Sequence, residues 1–190
     1  MKLKYDFLVQ KTKLELARLD KLPSLNWEQQ KKYNNEFLPI SVEPKIRKRA
    51  LDLMNNLVNL LHENGHSIKF NYSRCQIEIY GQLTEFHLRQ KYFRVRVKNS
   101  YGTTHNTFEK SNKLEFLIGS SYCKTWIDKK TKSLEDYLPT IYKHIEAKSK
   151  YLAEIRKKQA LGKIEREKNE AIRIEKGRIE VLEEERFLSL

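Results

Sequence analysis

The chain has 190 residues, of which 39% are hydrophobic and 33% are charged, and its formal net charge is +13. This length suffices for one domain with a real core, while the high charged fraction indicates that part of the chain adds length without core. No stretch is apolar over the length of a membrane span and no signal peptide opens the chain, so we expect a cytoplasmic protein without a membrane partner.

The positive charge is unevenly distributed. Residues 145–190 hold 12 basic and 10 acidic side chains, which leaves 26 basic and 15 acidic side chains in residues 1–144. A positive charge of this size favours a polyanionic partner such as DNA, RNA, or an acidic membrane or protein surface. We therefore expect polyanion contacts on the first part of the chain and protein contacts on the nearly neutral last part.

Helices are predicted for most of the first third of the chain. Apolar side chains at roughly helical spacing predict short helices at 5–20 and 25–36, followed by an extended strap from Pro39 to Pro44. The clearest helix is predicted at 45–64, where apolar residues recur at steps of three and four and form one buried stripe. Gly65 then stands where a left-handed residue commonly ends a helix.

Beyond this helix the apolar period changes to two, which predicts strands with one buried face. The predicted strands and turns are 68–72, Ser73-Arg74, 77–79 and Gly81-Gln82. Residues 83–98 predict a longer strand whose phase slips, because Phe86 and Leu88 share one face whereas Phe93 and Val95 have the opposite parity. A bulge or break is therefore expected near Tyr92-Phe93. It would turn the cations on both sides outward together.

The segment 99–112 has the composition of an exposed loop and is long for a simple connection. Two further strands are predicted at 114–118 and 122–127, with a turn at Gly119-Ser120 between them. Cys75 and Cys123 both fall in predicted strands. Their separation fits neither a disulfide framework nor a zinc site, so we interpret them as reduced core thiols.

One long helix is predicted from Ser133 to about residue 188, with Asp136 able to cap its start. Pro139 lies deep for a first-turn proline, so either a kink or a start near Glu135 is expected. A buried stripe is predicted in the first half of the helix at Leu134, Leu138, Ile141, Ile145, Leu152 and Ile155.

Past Arg156 the helix is predicted to be supported by charge pairs in water. These pairs are Lys163 with Glu167, Arg166 with Glu170, Glu170 with Arg173, and Lys176 with Glu180. A weak seam, interrupted by Gly162 and Gly177, is formed by Leu161, Ile164, Ile172, Ile179 and Leu182. Both a short two-stranded coiled coil and a lone helix are compatible with this pattern.

The most specific motif is His62-Glu63-Asn64-Gly65-His66, a literal H-E-x-x-H. On a continuous helix this spacing directs two imidazoles at a zinc ion, with the glutamate as base for the bound water. However, Gly65 predicts a helix stop and the strand pattern after it turns His66 away from His62. A third ligand would have to be Glu78 or Glu85. We interpret the motif as coincidental and expect no cofactor.

No other group of residues in the chain predicts catalysis. The remaining histidines are His87, His105 and His144, and none has a carboxylate or cysteine at a spacing typical of a catalytic or metal site. The scattered glycines form no phosphate-binding loop. We therefore predict that the protein is not an enzyme.

Two basic clusters form the candidate binding site. In the segment 89–98, cations and aromatic side chains alternate on a strand, which suits phosphate contacts and base stacking. The alternative is a solvated edge strand whose charges prevent aggregation. The second cluster opens the helix at 45–64, where cations oppose the helix dipole and favour an external anion. The candidate nucleic-acid-binding residues are Arg89, Lys91, Arg94, Arg96, Lys98, Lys45, Arg47, Lys48 and Arg49.

Five further motifs of the chain are Arg49-Ala50-Leu51, Gly65-His66, Glu85-Phe86-His87-Leu88-Arg89, Trp126-x-Asp128 and Leu134-Glu135-x-x-Leu138. Together they resemble an uncharacterised bacterial protein family. The resemblance covers about residues 38–158 and implies an α+β unit with a charged C-terminal helix, often preceded by a helix-turn-helix-like segment. It brings no activity and no catalytic residue, and this chain lacks a clear helix-turn-helix in its N-terminal part.

The predicted fold is α+β, with an antiparallel sheet of four or five strands packed by the helix at 45–64 and the start of the long C-terminal helix. The predicted parts are an N-terminal segment 1–37, a core domain 38–158 and a charged helix 159–190. The leading functional hypothesis is a non-enzymatic nucleic-acid-associated protein whose residues 150–188 contact a partner protein or a second copy. A structural or adaptor subunit is the second hypothesis, and a zinc-dependent hydrolase is the third.

Overall fold

The computed structural model describes residues 5–119 and 124–188. Within these residues the chain forms four α-helices and six β-strands. In chain order they are α1 (Phe7–Leu19), α2 (Trp27–Glu36), β1 (Ile40–Ser41), α3 (Pro44–Glu63), β2 (Ser67–Asn71), β3 (Arg74–Ile79), β4 (Gln82–Lys98), β5 (Thr104–Ile118), β6 (Lys124–Ile127) and α4 (Leu134–Leu188).

The strands form one sheet in the order β2-β3-β4-β5-β6, and every pairing along this path is antiparallel. The α+β prediction is therefore confirmed, including the helix at 45–64 and the start of the C-terminal helix as the packing elements. The sequence pattern does not predict the short strand β1. It lies in the strap before α3 and pairs in parallel with β4, where Ile40 is opposite Leu88.

The core lies between the sheet and the apolar faces of α3 and α4. Helix α3 buries its predicted stripe, of which Leu57 and Leu61 have no exposed surface. They belong to the same core as Ile77 of β3 and Phe116 of β5. Each fully buried aliphatic side chain stabilises the fold by about 1.5–3 kcal/mol. Helix α3 supplies the longest such row in the core.

Both predicted turns between the first strands are displaced by one residue. Tyr72 and Ser73 have φ angles of 53° and 59°, and Tyr80 and Gly81 have φ angles of 52° and 70°. Two successive residues with positive φ match the twist of a tight hairpin. The hairpins therefore turn at Tyr72-Ser73 and Tyr80-Gly81, and the predicted turn residues Arg74 and Gln82 begin the following strands.

The predicted loop at 99–112 is wrong for most of its length, because β5 already begins at Thr104. From Thr104 to Lys110 this strand pairs with the last seven residues of β4. A two-stranded ribbon exposes both faces to water, so its strands need no alternation of apolar and polar residues. The polar composition of the segment therefore does not indicate a strand.

The β4 pairing is irregular beside Tyr92, as predicted, but the phase of β4 itself does not slip. Gln90 is opposite Leu114 and Tyr92 is opposite Lys110, so the register shifts between these two pairs. A step of two residues in β4 is matched by a step of four residues in β5, which places the extra residues on β5. The bulge thus separates the part of β4 that lies over the core from the part that forms the ribbon.

Helix α4 runs from Leu134 to Leu188 and contains Pro139. The backbone amide and the hydroxyl of Ser133 both donate to the Asp136 carboxylate, at 2.9 and 2.8 Å, which confirms the predicted cap. The buried stripe is shorter than predicted, since Leu152 is 37% exposed. The residue contacts divide the chain into two compact units, Met1–Ser149 and Lys150–Leu190.

The second of these units carries the charge pairs of α4. Lys163 contacts Glu167 at 3.8 Å and Arg173 contacts Glu170 at 2.8 Å, as predicted. The other two predicted pairs, Arg166 with Glu170 and Lys176 with Glu180, do not form ion pairs in the described helix.

The remaining predictions concern the cysteines and the membrane. Cys75 is a buried thiol on β3, and burial raises its pKa. Cys123 and the turn residue Ser120 lie outside the described residues. None of the described helices is long and apolar enough to cross a membrane.

Candidate nucleic-acid interface

Beyond the bulge, Tyr92–Lys98 of β4 and Thr104–Lys110 of β5 form a two-stranded antiparallel segment, here called the basic ribbon. Its turn is closed by the amide of Asn99, which donates to the carbonyl of Thr103 at 2.9 Å. Gly102 has a φ of 76°, a conformation that favours glycine. Tyr101 is 90% exposed in this turn.

The two faces of the basic ribbon differ in chemistry. Residues directly opposite each other in an antiparallel pair project from the same face. One face, here called the cationic face, has four basic residues, two aromatic residues and no acid. Its members are Tyr92, Arg94, Arg96 and Lys98 of β4 and Lys110, Phe108, Asn106 and Thr104 of β5. The other face has apolar and mixed character, with Phe93, Val95 and Val97 opposite Glu109, Thr107 and His105.

Three cations of the cationic face have no acidic neighbour. Arg94, Arg96 and Lys98 are exposed, and their side chains form no ion pair or hydrogen bond with any described residue. Alternate residues of a strand lie about 7 Å apart, where two unit charges in water repel by about 0.6 kcal/mol. A polyanion that lies along this row would replace the repulsion by attraction. Lys110, on the same face, instead contacts Glu43, and this hydrogen bond raises the pKa of Lys110.

On the core side of the bulge, Arg89 and Lys91 share one buried acid. Glu115 is 2% exposed, accepts from the Arg89 guanidinium, and lies 3.2 Å from the Lys91 ammonium. The three side chains together carry one net positive charge. They line a shallow groove with Tyr92 and Phe108 of the ribbon. Both cations of this groove lie on the core side of the bulge, and the expected meeting of cations from both sides is not found there.

In the second predicted cluster, acids hold three of the four cations. Arg47 contacts Asp20, and Lys48 contacts Asp52 at 3.7 Å. Arg49 contacts Asp128 and Glu135. Lys45 is exposed. The acids thus reduce the charge that this cluster offers to an external anion.

Arg49 is the centre of a hydrogen-bonded network that joins three parts of the fold. Its guanidinium donates to Asp128 at 2.7 and 2.8 Å and to Glu135 at 2.7 and 2.6 Å. Asp128 also accepts from the backbone amides of Leu114 and Leu134, each at 2.7 Å. The network therefore ties α3 to β5 and to the start of α4. Three of the motifs on which the family resemblance rests supply these side chains.

The electrostatics of this network are those of a structural site. Burial would raise the pKa of Asp128, but Arg49 and the two backbone amides outweigh burial and hold the pKa below its usual value. The Arg49 hydrogen bonds likewise lower the pKa of Glu135. Both carboxylates are thus ionised and satisfied, which leaves Arg49 little capacity for an external phosphate.

The two histidines of the H-E-x-x-H motif have different surroundings. Helix α3 ends at Glu63, Gly65 has a φ of 72°, and the amide of His66 donates to the carbonyl of Leu61 at 2.8 Å. His62 lies 3.8 Å from Asp6, whereas His66 contacts the rings of Tyr80 and Tyr142. Within residues 5–119 and 124–188, no group of three or more His, Cys, Asp and Glu side chains is placed to hold a metal ion.

One aromatic residue of the groove, Phe108, is absent from the predicted site, whereas Tyr92 belongs to the segment 89–98 whose aromatic residues are predicted to suit base stacking. The composition of 99–112 predicts a loop at Phe108. Gly102 is a usable signal, because the connection Asn99–Thr103 has five residues. A five-residue connection with glycine is typical of a hairpin.

The fold and this site define an α+β domain that carries a two-stranded basic ribbon. No family model, no curated protein and no solved structure matches the chain.

Proposed function

We propose that the protein binds nucleic acid without catalysis and holds the phosphate backbone on the cationic face of the basic ribbon. The observation that carries the proposal is the row of Arg94, Arg96 and Lys98, exposed and without an acid partner among the described residues. Five of the other six candidate cations contact an acid. The ribbon therefore presents the densest row of uncompensated charge among the candidate residues.

The binding energy comes from the release of counterions that phosphates condense around themselves. Each phosphate neutralised on duplex DNA contributes about 0.9 to the slope of log affinity against log salt. Three contacts should therefore weaken binding roughly 40-fold between about 50 and 200 mM salt. Arg89 and Lys91 line the adjoining groove with Tyr92 and Phe108 of the ribbon, at a charge reduced by Glu115.

The test is a charge reversal on the ribbon. Arg94→Glu combined with Arg96→Glu should abolish binding to a labelled oligonucleotide, measured by fluorescence anisotropy at about 50 mM salt. The matched control is Lys163→Glu combined with Arg173→Glu, which changes the net charge by the same amount on α4. Equal loss in both double variants would show a nonspecific effect of net charge, and undiminished binding after the ribbon reversal would refute the site.

We further propose that residues 150–188 contact a partner protein or a second copy of the chain. The observation behind this is a set of large aliphatic side chains on a charged helix, each 47–67% exposed: Leu161, Ile164, Ile172, Ile179 and Leu182. Sedimentation of the intact protein over a hundredfold range of concentration tests self-association. A monomeric mass at every concentration would exclude self-association and leave a partner protein as the ligand of residues 150–188. Failure to bind any nucleic acid at low salt would favour an adaptor whose cationic face meets an acidic protein.

A further inference from the structure

Two aromatic rings interrupt the cationic face of the ribbon. Phe108 is 67% exposed and lies directly opposite Arg94 in the register. Tyr92 is 42% exposed and lies one step away, diagonally across the same pair of strands. Neither ring is covered by the core, so each presents apolar surface to water in the middle of a charged surface.

The rings form one end of a groove whose other end is polar. Tyr92 and Phe108 line it together with Arg89, Lys91 and the buried Glu115. A ligand that suits this groove has a flat apolar part to cover the rings and negative charges to meet the cations on either side. A nucleobase with its flanking phosphates has this combination, and every base has an apolar face whatever its sequence.

The state of the nucleic acid decides whether a base can reach the rings. In a duplex the base faces are covered by their stacked neighbours, and proteins reach only the edges in the grooves. In a single strand the bases can be splayed out and stacked on aromatic side chains while cations follow the backbone. A two-stranded ribbon also fits the major groove of DNA in width. That arrangement, however, gives Phe108 only a contact with a thymine methyl group, whereas a single strand can cover the ring with a whole base face.

We infer that the ligand of the basic ribbon is single-stranded nucleic acid, with an unpaired base stacked on Phe108 and Tyr92. The phosphates on one side of that base meet Arg94 and Arg96, and those on the other side meet Lys91. This inference rests on the proposed function and adds the class of nucleic acid to it. It also assigns Phe108 as a binding residue.

The experiment compares one labelled oligonucleotide of about 20 nucleotides, chosen without self-complementarity, with the duplex formed from it and its complement. Fluorescence anisotropy with the full chain at about 100 mM salt should give an affinity for the single strand at least about tenfold higher than for the duplex. Phe108→Ala should lower the single-strand affinity about 5- to 140-fold, which corresponds to the loss of one stacked base. The salt slope should not change, because no cation is removed.

The matched control is Phe93→Ala, which removes the same ring from the opposite face of the same ribbon. Its single-strand affinity should stay within about twofold of the original. Phe108→Trp should retain binding, since a larger aromatic face stacks at least as well. The urea-unfolding midpoint of each variant, compared with that of the unmodified protein, separates a loss of stacking from a loss of fold.

The outcomes are distinct for the two proposals. Equal or tighter binding of the duplex, or full single-strand affinity in Phe108→Ala, overturns the single-strand inference and leaves the proposed function in place. No binding of either form at about 50 mM salt overturns both. A salt-dependent single-strand preference that Phe108→Ala abolishes and Phe93→Ala preserves supports both.

Discussion

Arg49 and the ribbon arginines Arg94 and Arg96 have the same side chain and different surroundings. Arg49 has two carboxylates within hydrogen-bond distance, one of them buried, and joins three elements of the core unit. Arg94 and Arg96 lie on a ribbon with solvent on both faces and pair with no described acid. The first arginine stabilises the fold, whereas the other two repel each other in the absence of a ligand.

The difference shows that a count of cations does not locate a binding surface. The segment Lys45-Ile46-Arg47-Lys48-Arg49 holds four cations. The sequence alone does not show which of them pair with an acid in the fold. In the structure Arg49 reaches the buried Asp128, which is 79 residues away in the chain. Lys48, by contrast, is 89% exposed beside Asp52. The position of the nearest carboxylate therefore decides whether a cation serves the fold or remains available.

Arg89 and Lys91 are intermediate between these two kinds of cation, because one buried acid neutralises half of their charge. They belong to the core side of the bulge and also line the groove that reaches the ribbon. Substitutions that remove an acid or a base from each set can therefore separate structural cations from binding cations.

The largest effect is expected from Arg49→Met, which keeps an unbranched apolar side chain and removes the guanidinium group with its charge. It should lower the free energy of unfolding by about 2–4 kcal/mol, because the buried Asp128 carboxylate loses its cationic partner. Partial exposure of Arg49 favours the lower half of this range. Urea unfolding followed by circular dichroism measures the change. Lys48→Met is the matched control, with an expected change below about 0.5 kcal/mol. Equal losses in the two variants would contradict the assignment.

The stabilisation by Arg49 depends on pH. The folded-state pKa values of Asp128 and Glu135 lie below their usual values, so their stabilising contribution is complete above about pH 5.5, where both carboxyls of the unfolded chain are also ionised. It is lost as the pH falls through the lower, folded-state values. The stability difference between the unmodified protein and Arg49→Met should therefore be constant near neutral pH and shrink below about pH 5. A difference that persists unchanged at about pH 3 would assign the effect to packing and not to charge.

Elements with one buried face could be predicted from the sequence. The stripe of α3 follows from burial on one side, and the apolar pattern of β4 predicts an irregularity near Tyr92, although the extra residues lie on β5. The second strand of the ribbon could not be predicted in this way. Thr104–Lys110 has solvent on both faces, so burial leaves no period in its sequence.

The candidate site was predictable only in part, for a related reason. The cations of β4 are visible in the sequence, but their partners are not. Arg89 contacts Glu115 across the sheet, and Arg49 contacts Asp128 through the fold of the whole core unit. Which cations remain available is therefore a property of the tertiary structure. The aromatic partner of the cations, Phe108, becomes identifiable only with the register of β4 and β5.

A smaller effect is expected from Glu115→Gln, which removes the negative charge that Arg89 and Lys91 share. The substitution should lower the free energy of unfolding by about 1–2 kcal/mol, since Arg89 and Lys91 are partly exposed and can be rehydrated. Nucleic-acid affinity should rise, because the groove gains one net positive charge. Anisotropy at about 50 mM salt measures this gain. Weaker binding would show that Glu115 positions the two cations for the ligand.

The smallest effect on stability is expected where the effect on binding is largest. Arg94→Ala combined with Arg96→Ala should change the free energy of unfolding by less than about 0.5 kcal/mol, because neither side chain has a partner among the described residues. Relief of the repulsion between them favours a slight gain over a loss. Urea unfolding at about 50 mM salt, where screening is weak, measures the sign. A loss above about 1 kcal/mol would show that the two arginines support the ribbon itself, and the contrast with Arg49 would then be one of degree.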